Sequence, residues 1–222
     1  MSVSVKICGI NSREAAEAVL KAGADFGGLV IFPRSPRHLS LDQGRLLAQQ
    51  LRPRVRVVTL LVEPDDALVD QIMAAIAPDF IQLHGNETPE RAGAIGFRAK
   101  RPIIKALAVA EAADVARAQA YQDAAEYILF DAKANAFATR PGGWGAAFDW
   151  KLLSGTSFKR PFGLAGGLTP ENVARAIAIS GVAFVDASSG VEDAPGKKSP
   201  EKIATFVVAA RNAQYTHVRG DV

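Results

Sequence analysis

Eight short apolar runs recur along the chain, and each is followed by a stretch with amphipathic spacing. The runs span 3–8, 26–31, 55–62, 79–84, 102–107, 126–131, 161–165 and 182–187. The amphipathic stretches span 12–22, 41–51, 65–77, 88–95, 111–120, 148–154, 170–180 and 199–213. Short runs rich in β-branched and aromatic residues read as buried strands, and apolar residues three or four apart read as one face of a helix. Strands and helices in strict alternation build parallel βαβ units, because a parallel neighbour needs a long crossover and a helix supplies it. Eight such units with no linker between halves predict an α/β fold, a single-domain (β/α)8 TIM barrel, rather than an open doubly wound sheet.

Helix-start signals agree with this register. Thr88-Pro89-Glu90, Thr169-Pro170-Glu171 and Ser199-Pro200-Glu201 each place a capping hydroxyl before a first-turn proline. The 222 residues suit one domain, 1–222, whose polar tail at 214–222 is expected to fray. Two segments are rich in glycine and proline, 132–147 and 188–198. The first is long enough to be expected to cover a site.

Bulk properties narrow the function classes. A chain 49% hydrophobic and 22% charged reads as an ordinary globule, and it has no run of about 18 apolar residues to span a membrane. No signal-peptide pattern precedes the first strand, and one cysteine cannot form an internal disulfide, so a cytoplasmic protein is expected. A formal charge of +3, scattered along the chain, predicts no nucleic-acid partner. It is compatible with a small anionic ligand, although ordinary solubility accounts for it equally well.

Strand parity then selects candidate side chains. Successive residues point to opposite faces of a strand. If Cys8 faces the barrel interior, so do Lys6 and Ser4, while Val3, Val5 and Ile7 face the helices. An inward lysine needs a partner, and Asp131 and Asp186 are the candidates. Asp131 shares its face with Leu129 and Tyr127, while Ile128 and Phe130 pack outward. Cys8, Asp131 and Asp186 thus fall at the C-terminal ends of strands, where barrel active sites sit. A thiolate and a carboxylic acid on one pocket make a base and an acid. Taken singly, each has a plainer explanation: a free cysteine is often a small buried hydrophobe, and a strand-end aspartate can cap a helix or hold a lysine.

The loops after the last two strands carry the next signal. Gly166-Gly167 ends the seventh strand, and Ser188-Ser189-Gly190 ends the eighth. Backbone N–H groups in such loops bind phosphate in many barrels, although two tight turns needing positive φ would read the same way. Arg37 lies in a loop stiffened by Pro33 and Pro36, so it reads either as a presented carboxylate fork or as a solvated surface arginine. His84 ends the fourth strand on the same parity as Gln82, as a ligand contact or a structural histidine. There is no metal-ligand spacing, no GxGxxG after the first strand and no Walker motif, so neither a metal nor a cofactor is expected.

These segments together resemble the phosphoribosylanthranilate isomerase family of tryptophan biosynthesis, in order from residue 5 to about residue 206. Carrying the resemblance are VKICGI at 5–10, GLVIFPRSPRHLS at 28–40, LVEPDD at 61–66, IQLHGNE at 81–87, FDAK at 130–133, PGGWGAAFDW at 141–150, FGLAGGLTPENV at 162–173 and VDASSGVEDAPGKKSPEKI at 185–203. The resemblance implies an Amadori rearrangement without a cofactor, with Asp131 as general acid and Cys8 as general base. It places the substrate's carboxylate on Arg37 and its phosphate on Gly166, Gly167, Ser188, Ser189 and Gly190. Lys6, His84 and Asp186 are counted with the substrate-binding residues. The loop after strand six departs from the family's pattern at Trp144 and Ala146. The family includes monomers and dimers, so either state is expected. Two alternatives stay open: the related sugar isomerase of histidine biosynthesis, which would be expected to use two carboxylates, and a catalytically idle barrel that binds a sugar phosphate.

Overall fold

The computed structural model describes residues 3–133 and 148–213. Eight strands follow one another around a closed, all-parallel barrel: β1 Ser4–Cys8, β2 Phe26–Val30, β3 Arg56–Leu61, β4 Phe80–Leu83, β5 Ile103–Val109, β6 Tyr127–Ala132, β7 Phe162–Leu164 and β8 Phe184–Ala187. Closure comes from β1 beside β8, with Ser4 opposite Phe184 and Lys6 opposite Asp186. The helices are α1 Arg13–Ala22, α2 Leu41–Leu51, α3 Asp66–Ala75, α4 Pro89–Ala99, α5 Ala112–Ala116, α6 Val173–Ser180 and α7 Pro200–Arg211. The predicted (β/α)8 barrel is therefore the fold.

The parity rule holds along the strands. Val5, Ile7, Ile128 and Phe130 join the large core between barrel and helices. Tyr127 and Leu129 join a second core inside the barrel. Its floor is aromatic: Phe26, Phe80, Tyr127 and Phe184 come from β2, β4, β6 and β8, with ring centroids 5.4–6.3 Å apart. Four side chains from alternate strands make one interior layer of such a barrel. Packed rings of this size contribute about 1.5–3 kcal/mol each through burial. They fill the interior toward the N-terminal ends of the strands, and a cavity lies at the C-terminal ends.

Several local expectations are corrected. The stretch 148–154 forms only a 3₁₀ turn, Trp150–Leu153, and 111–120 divides into short α5 and a 3₁₀ turn, Arg117–Tyr121. Thr88 caps α4 as predicted, its hydroxyl accepting from Arg91 N at 3.2 Å with Pro89 in the first turn. Ser199 is the N-cap of α7 but makes no side-chain cap bond. Thr169 does not start a helix, because Asn172 intervenes. Asn172 Oδ1 accepts from Thr169 N at 2.8 Å and its Nδ2 donates to Gly167 O at 2.9 Å, which holds 169–172 in a turn and delays α6 to Val173. Within 188–198 lie a 3₁₀ turn, Ser189–Val191, and an antiparallel hairpin of β9 Glu192–Ala194 and β10 Lys197–Lys198. Most of the 132–147 loop, with Trp144 and Ala146, and the tail at 214–222 lie outside the described residues. No helix among the described residues is long and apolar enough to cross a membrane.

Candidate active site

The C-terminal mouth of the barrel encloses a cavity of about 710 Å³, measured out to the solvent at its opening. Cys8 from the end of β1 and Asp131 from β6 both line it. So do Arg37, His84, Gly166, Gly167, Asp186, Ser188, Ser189 and Gly190. Lys6 alone among the sequence-predicted residues does not reach the cavity; it is 0% exposed and lies one inward position below Cys8.

Burial governs the chemistry on the β1 side. Lys6 Nζ donates to Asp186 Oδ2 at 2.8 Å, so of the two candidate partners Asp186 holds the lysine. Burial opposes the lysine's charge, yet Asp186 and Cys8 together outweigh it and hold Lys6 above the ordinary lysine range. Burial pushes the Asp186 carboxyl up, with Lys6 pulling it back down. Burial likewise pushes the Cys8 thiol up, against the opposing pull of Lys6 and Lys198. The expectation that Lys6 favours a thiolate is right in sign but smaller than the cost of a buried anion, so the resting side chain is a thiol.

Asp131 meets a different environment. Its Oδ2 accepts from His84 Nε2 at 3.0 Å, and Gln82 Nε2 donates to His84 Nδ1 at 3.4 Å. That relay places the proton of a neutral imidazole on Nε2, facing the carboxylate. The strand-end histidine therefore orients the aspartate. The loop carrying it is tied down by Glu87, which accepts from Glu63 N, Gly85 N and the buried Lys105 Nζ, the last at 2.6 Å.

Arg37 is buried, which removes the solvated-surface reading. Its Nε and Nη2 donate to Glu192 Oε1 and Oε2 at 2.7 and 2.8 Å. The glycine after Cys8 makes room for it: Gly9 has φ of 78°, and a Cβ there would lie 2.3 Å from Arg37 Cδ. The two glycine loops also meet. Gly166 and Gly167 have positive φ, and a Cβ on Gly190 would lie 1.9 Å from Leu168 O. The turn requirement is thus real, and it brings both loops to one rim of the cavity.

Cys8, Val30 and Leu60, packed with Phe32 and Val62, form an apolar wall beside these polar groups. Such a wall suits the face of an aromatic ring. Apart from Cys8, sequence reasoning assigned these residues no role, nor did it assign one to Glu192 or Lys198. Val30 and Leu60 sit on inward parity near the ends of β2 and β3, which was a readable signal. Glu192 and Lys198 lay in a segment read as loop, where parity says nothing.

The sequence pattern described as N-(5'-phosphoribosyl)anthranilate (PRA) isomerase matches residues 5–209. The chain belongs to this isomerase family. It is accordingly an enzyme, an isomerase of tryptophan biosynthesis. The N-(5'-phosphoribosyl)anthranilate isomerase of Bradyrhizobium diazoefficiens is 51% identical over 214 residues, 96% of each chain. That of Azorhizobium caulinodans is 50% identical over 214 residues, 96% of this chain and 94% of its own. Among solved structures, phosphoribosyl anthranilate isomerase from Thermotoga maritima superposes with a TM-score of 0.84 at 36% identity, covering 94% of this chain and 98% of its own. A phosphoribosyl anthranilate isomerase in complex with reduced 1-(o-carboxyphenylamino)-1-deoxyribulose 5-phosphate superposes at 0.79 and 33% identity, with the same coverages.

Proposed function

We propose that Asp131 is the general acid and Cys8 the general base of the isomerisation of N-(5'-phosphoribosyl)anthranilate to 1-(o-carboxyphenylamino)-1-deoxyribulose 5-phosphate. Asp131, protonated, gives its proton to the furanose ring oxygen as the C1'–O bond breaks, and the anthranilate nitrogen supplies the electron pair that forms the Schiff base. Cys8, as the thiolate, then removes the C2' proton and becomes the thiol, and the C–H electrons move into C1'=C2' and neutralise the nitrogen. The enolamine tautomerises to the ketone. The reaction is internally redox-balanced, C1' being reduced as C2' is oxidised.

Arg37 binds the anthranilate carboxylate, and the backbone at Gly166, Gly167 and Ser188–Gly190 binds the phosphate. His84 orients Asp131, while Lys6 and Asp186 set the charge beneath Cys8. The observation that carries this reading is the meeting of Cys8, Asp131, Arg37 and both glycine loops on one cavity. Removal of the C2' proton needs the thiolate, so the resting Cys8 thiol first releases its proton to solvent, a loss that Lys6 and Lys198 favour against the cost of burial. The reading extends to an enzyme that works in the cytoplasm as a monomer or homodimer on a small anionic substrate, without nucleic acid or membrane.

The test follows the loss of anthranilate-type fluorescence after purified protein is added to fresh substrate. Cys8→Ala and Asp131→Asn are each expected to lose about 10²–10⁴-fold in kcat, the range general acid–base catalysis supplies, while remaining folded. Near-normal turnover in either folded variant removes that residue from the mechanism.

A further inference from the structure

Four donors converge on one buried carboxylate at the edge of the site. Glu192, whose side chain is 4% exposed, accepts from Arg37 Nε at 2.7 Å, Arg37 Nη2 at 2.8 Å, Lys198 Nζ at 2.6 Å and Gly196 N at 3.1 Å. Lys198, with a side chain 0% exposed, also donates to Ser188 O at 3.0 Å and Ser188 Oγ at 3.3 Å. Ser188 Oγ in turn donates to Cys8 O at 3.1 Å. One hydrogen-bonded chain therefore runs from the arginine of the β2 loop, through the β9–β10 hairpin, to the phosphate loop after β8 and the end of β1.

We infer that Glu192 and Lys198 are positioning residues that couple recognition of the substrate's carboxylate to the loop that holds its phosphate. The inference rests on the role proposed above for Arg37. Glu192 uses Nε and Nη2 of the guanidinium, which fixes its plane and leaves Nη1 for a ligand in the cavity. The cluster holds two cationic side chains and one carboxylate in a buried setting. An unmatched buried charge is costly, so the cluster favours an incoming anion on either side. Burial pushes Lys198 down to about 8, and Glu192 opposes that shift, as expected of a lysine whose charge is only partly offset. An anion bound at Arg37 reorganises what Glu192 can offer Lys198, and Lys198 grips Ser188. Binding at one end therefore changes the free energy of binding at the other.

The test compares wild type, Arg37→Ala, Glu192→Gln and Lys198→Gln on two substrates, phosphoribosylanthranilate and its carboxylate-free counterpart N-(5'-phosphoribosyl)aniline. KM and kcat are measured for each, together with inhibition by inorganic phosphate. Glu192→Gln is expected to raise KM for the carboxylated substrate by roughly tenfold or more, within the usual range of coupling between sites, and to shift the aniline substrate much less. Lys198→Gln is expected to weaken inorganic phosphate and to reduce the preference for the carboxylated substrate together. Equal losses on both substrates in Glu192→Gln, with Arg37→Ala losing its preference for the carboxylated one, overturn the inference. So does a Lys198→Gln variant that loses phosphate affinity alone. If Arg37→Ala keeps the wild-type preference for the carboxylated substrate, it is the carboxylate role of Arg37 that fails. Should Glu192→Gln not fold, Glu192→Asp keeps the charge, shortens its reach and carries the same comparison.

Discussion

Replacing Lys6 by methionine leaves Asp186 as a buried carboxylate without its partner. Lys6 Nζ is the group bonded to Asp186 Oδ2, and Asp186 Oδ1 has no hydrogen-bond partner among the described residues. Methionine fills a similar volume, so the packing loss is small and the electrostatic loss dominates. Removing one member of a buried ion pair costs about 3–5 kcal/mol. For a chain of this size that corresponds to a fall in melting temperature of roughly 6–20 °C. The cost has a pH signature. Burial already holds the Asp186 carboxyl above its ordinary value, and without Lys6 it rises further. The folded variant then keeps a proton that the unfolded chain releases above about pH 4. The deficit relative to wild type is therefore small near that pH and grows as pH rises, reaching full size above the raised value of Asp186. The assay is denaturant unfolding of both proteins across pH, with the rate profile alongside. Lys6 also pulls the Cys8 thiol down, so the alkaline rise of kcat/KM is expected to move to higher pH in the variant. A stability gap that stays constant with pH would refute the claim that Asp186 is the charge Lys6 compensates.

Lys105→Met perturbs another buried pair, with Glu87 at 2.6 Å, and is expected to cost about 3–5 kcal/mol in denaturant unfolding. Because Lys105 Nζ also donates to Gly85 O beside His84, kcat should fall with stability, and an unchanged kcat would detach this pair from the site. Gly166→Ala forces φ of 79° on a residue with a Cβ, which would lie 2.4 Å from Ala132 N and 2.6 Å from Asp131 Oδ1. Strain of about 1–2 kcal/mol in stability and a lowered kcat are expected together, and a variant with wild-type kcat would show that the loop yields without moving Asp131.

Strand positions were legible in this chain because a barrel strand announces itself twice, by its apolar content and by parity. Parity alone carries Cys8, Asp131 and Asp186 to the mouth and Val5, Ile7 and Phe130 to the helices. Helix boundaries were less legible where polar side chains compete with the helix for backbone groups, as Asn172 does ahead of α6. Where the chain turns irregular, periodicity ends, and with it the means of placing a side chain. Arg37 was therefore singled out, yet its burial and its carboxylate clamp were not visible, and Glu192 and Lys198 went without a role.

By itself the sequence determined the alternation of strand and helix, the inward residues of each strand and the residue types available at the mouth. Those follow from local sterics and from the two-residue and 3.6-residue periods, which act between neighbours in the chain. Tertiary structure alone decided that Lys6 pairs with Asp186 rather than Asp131, because closure sets β8 directly beside β1. It also decided that Cys8 rests as a thiol, since burial in the finished barrel outweighs the nearby lysine. Pairings across more than a hundred residues and the solvation of a buried charge depend on which strands meet, and only the closed barrel specifies that.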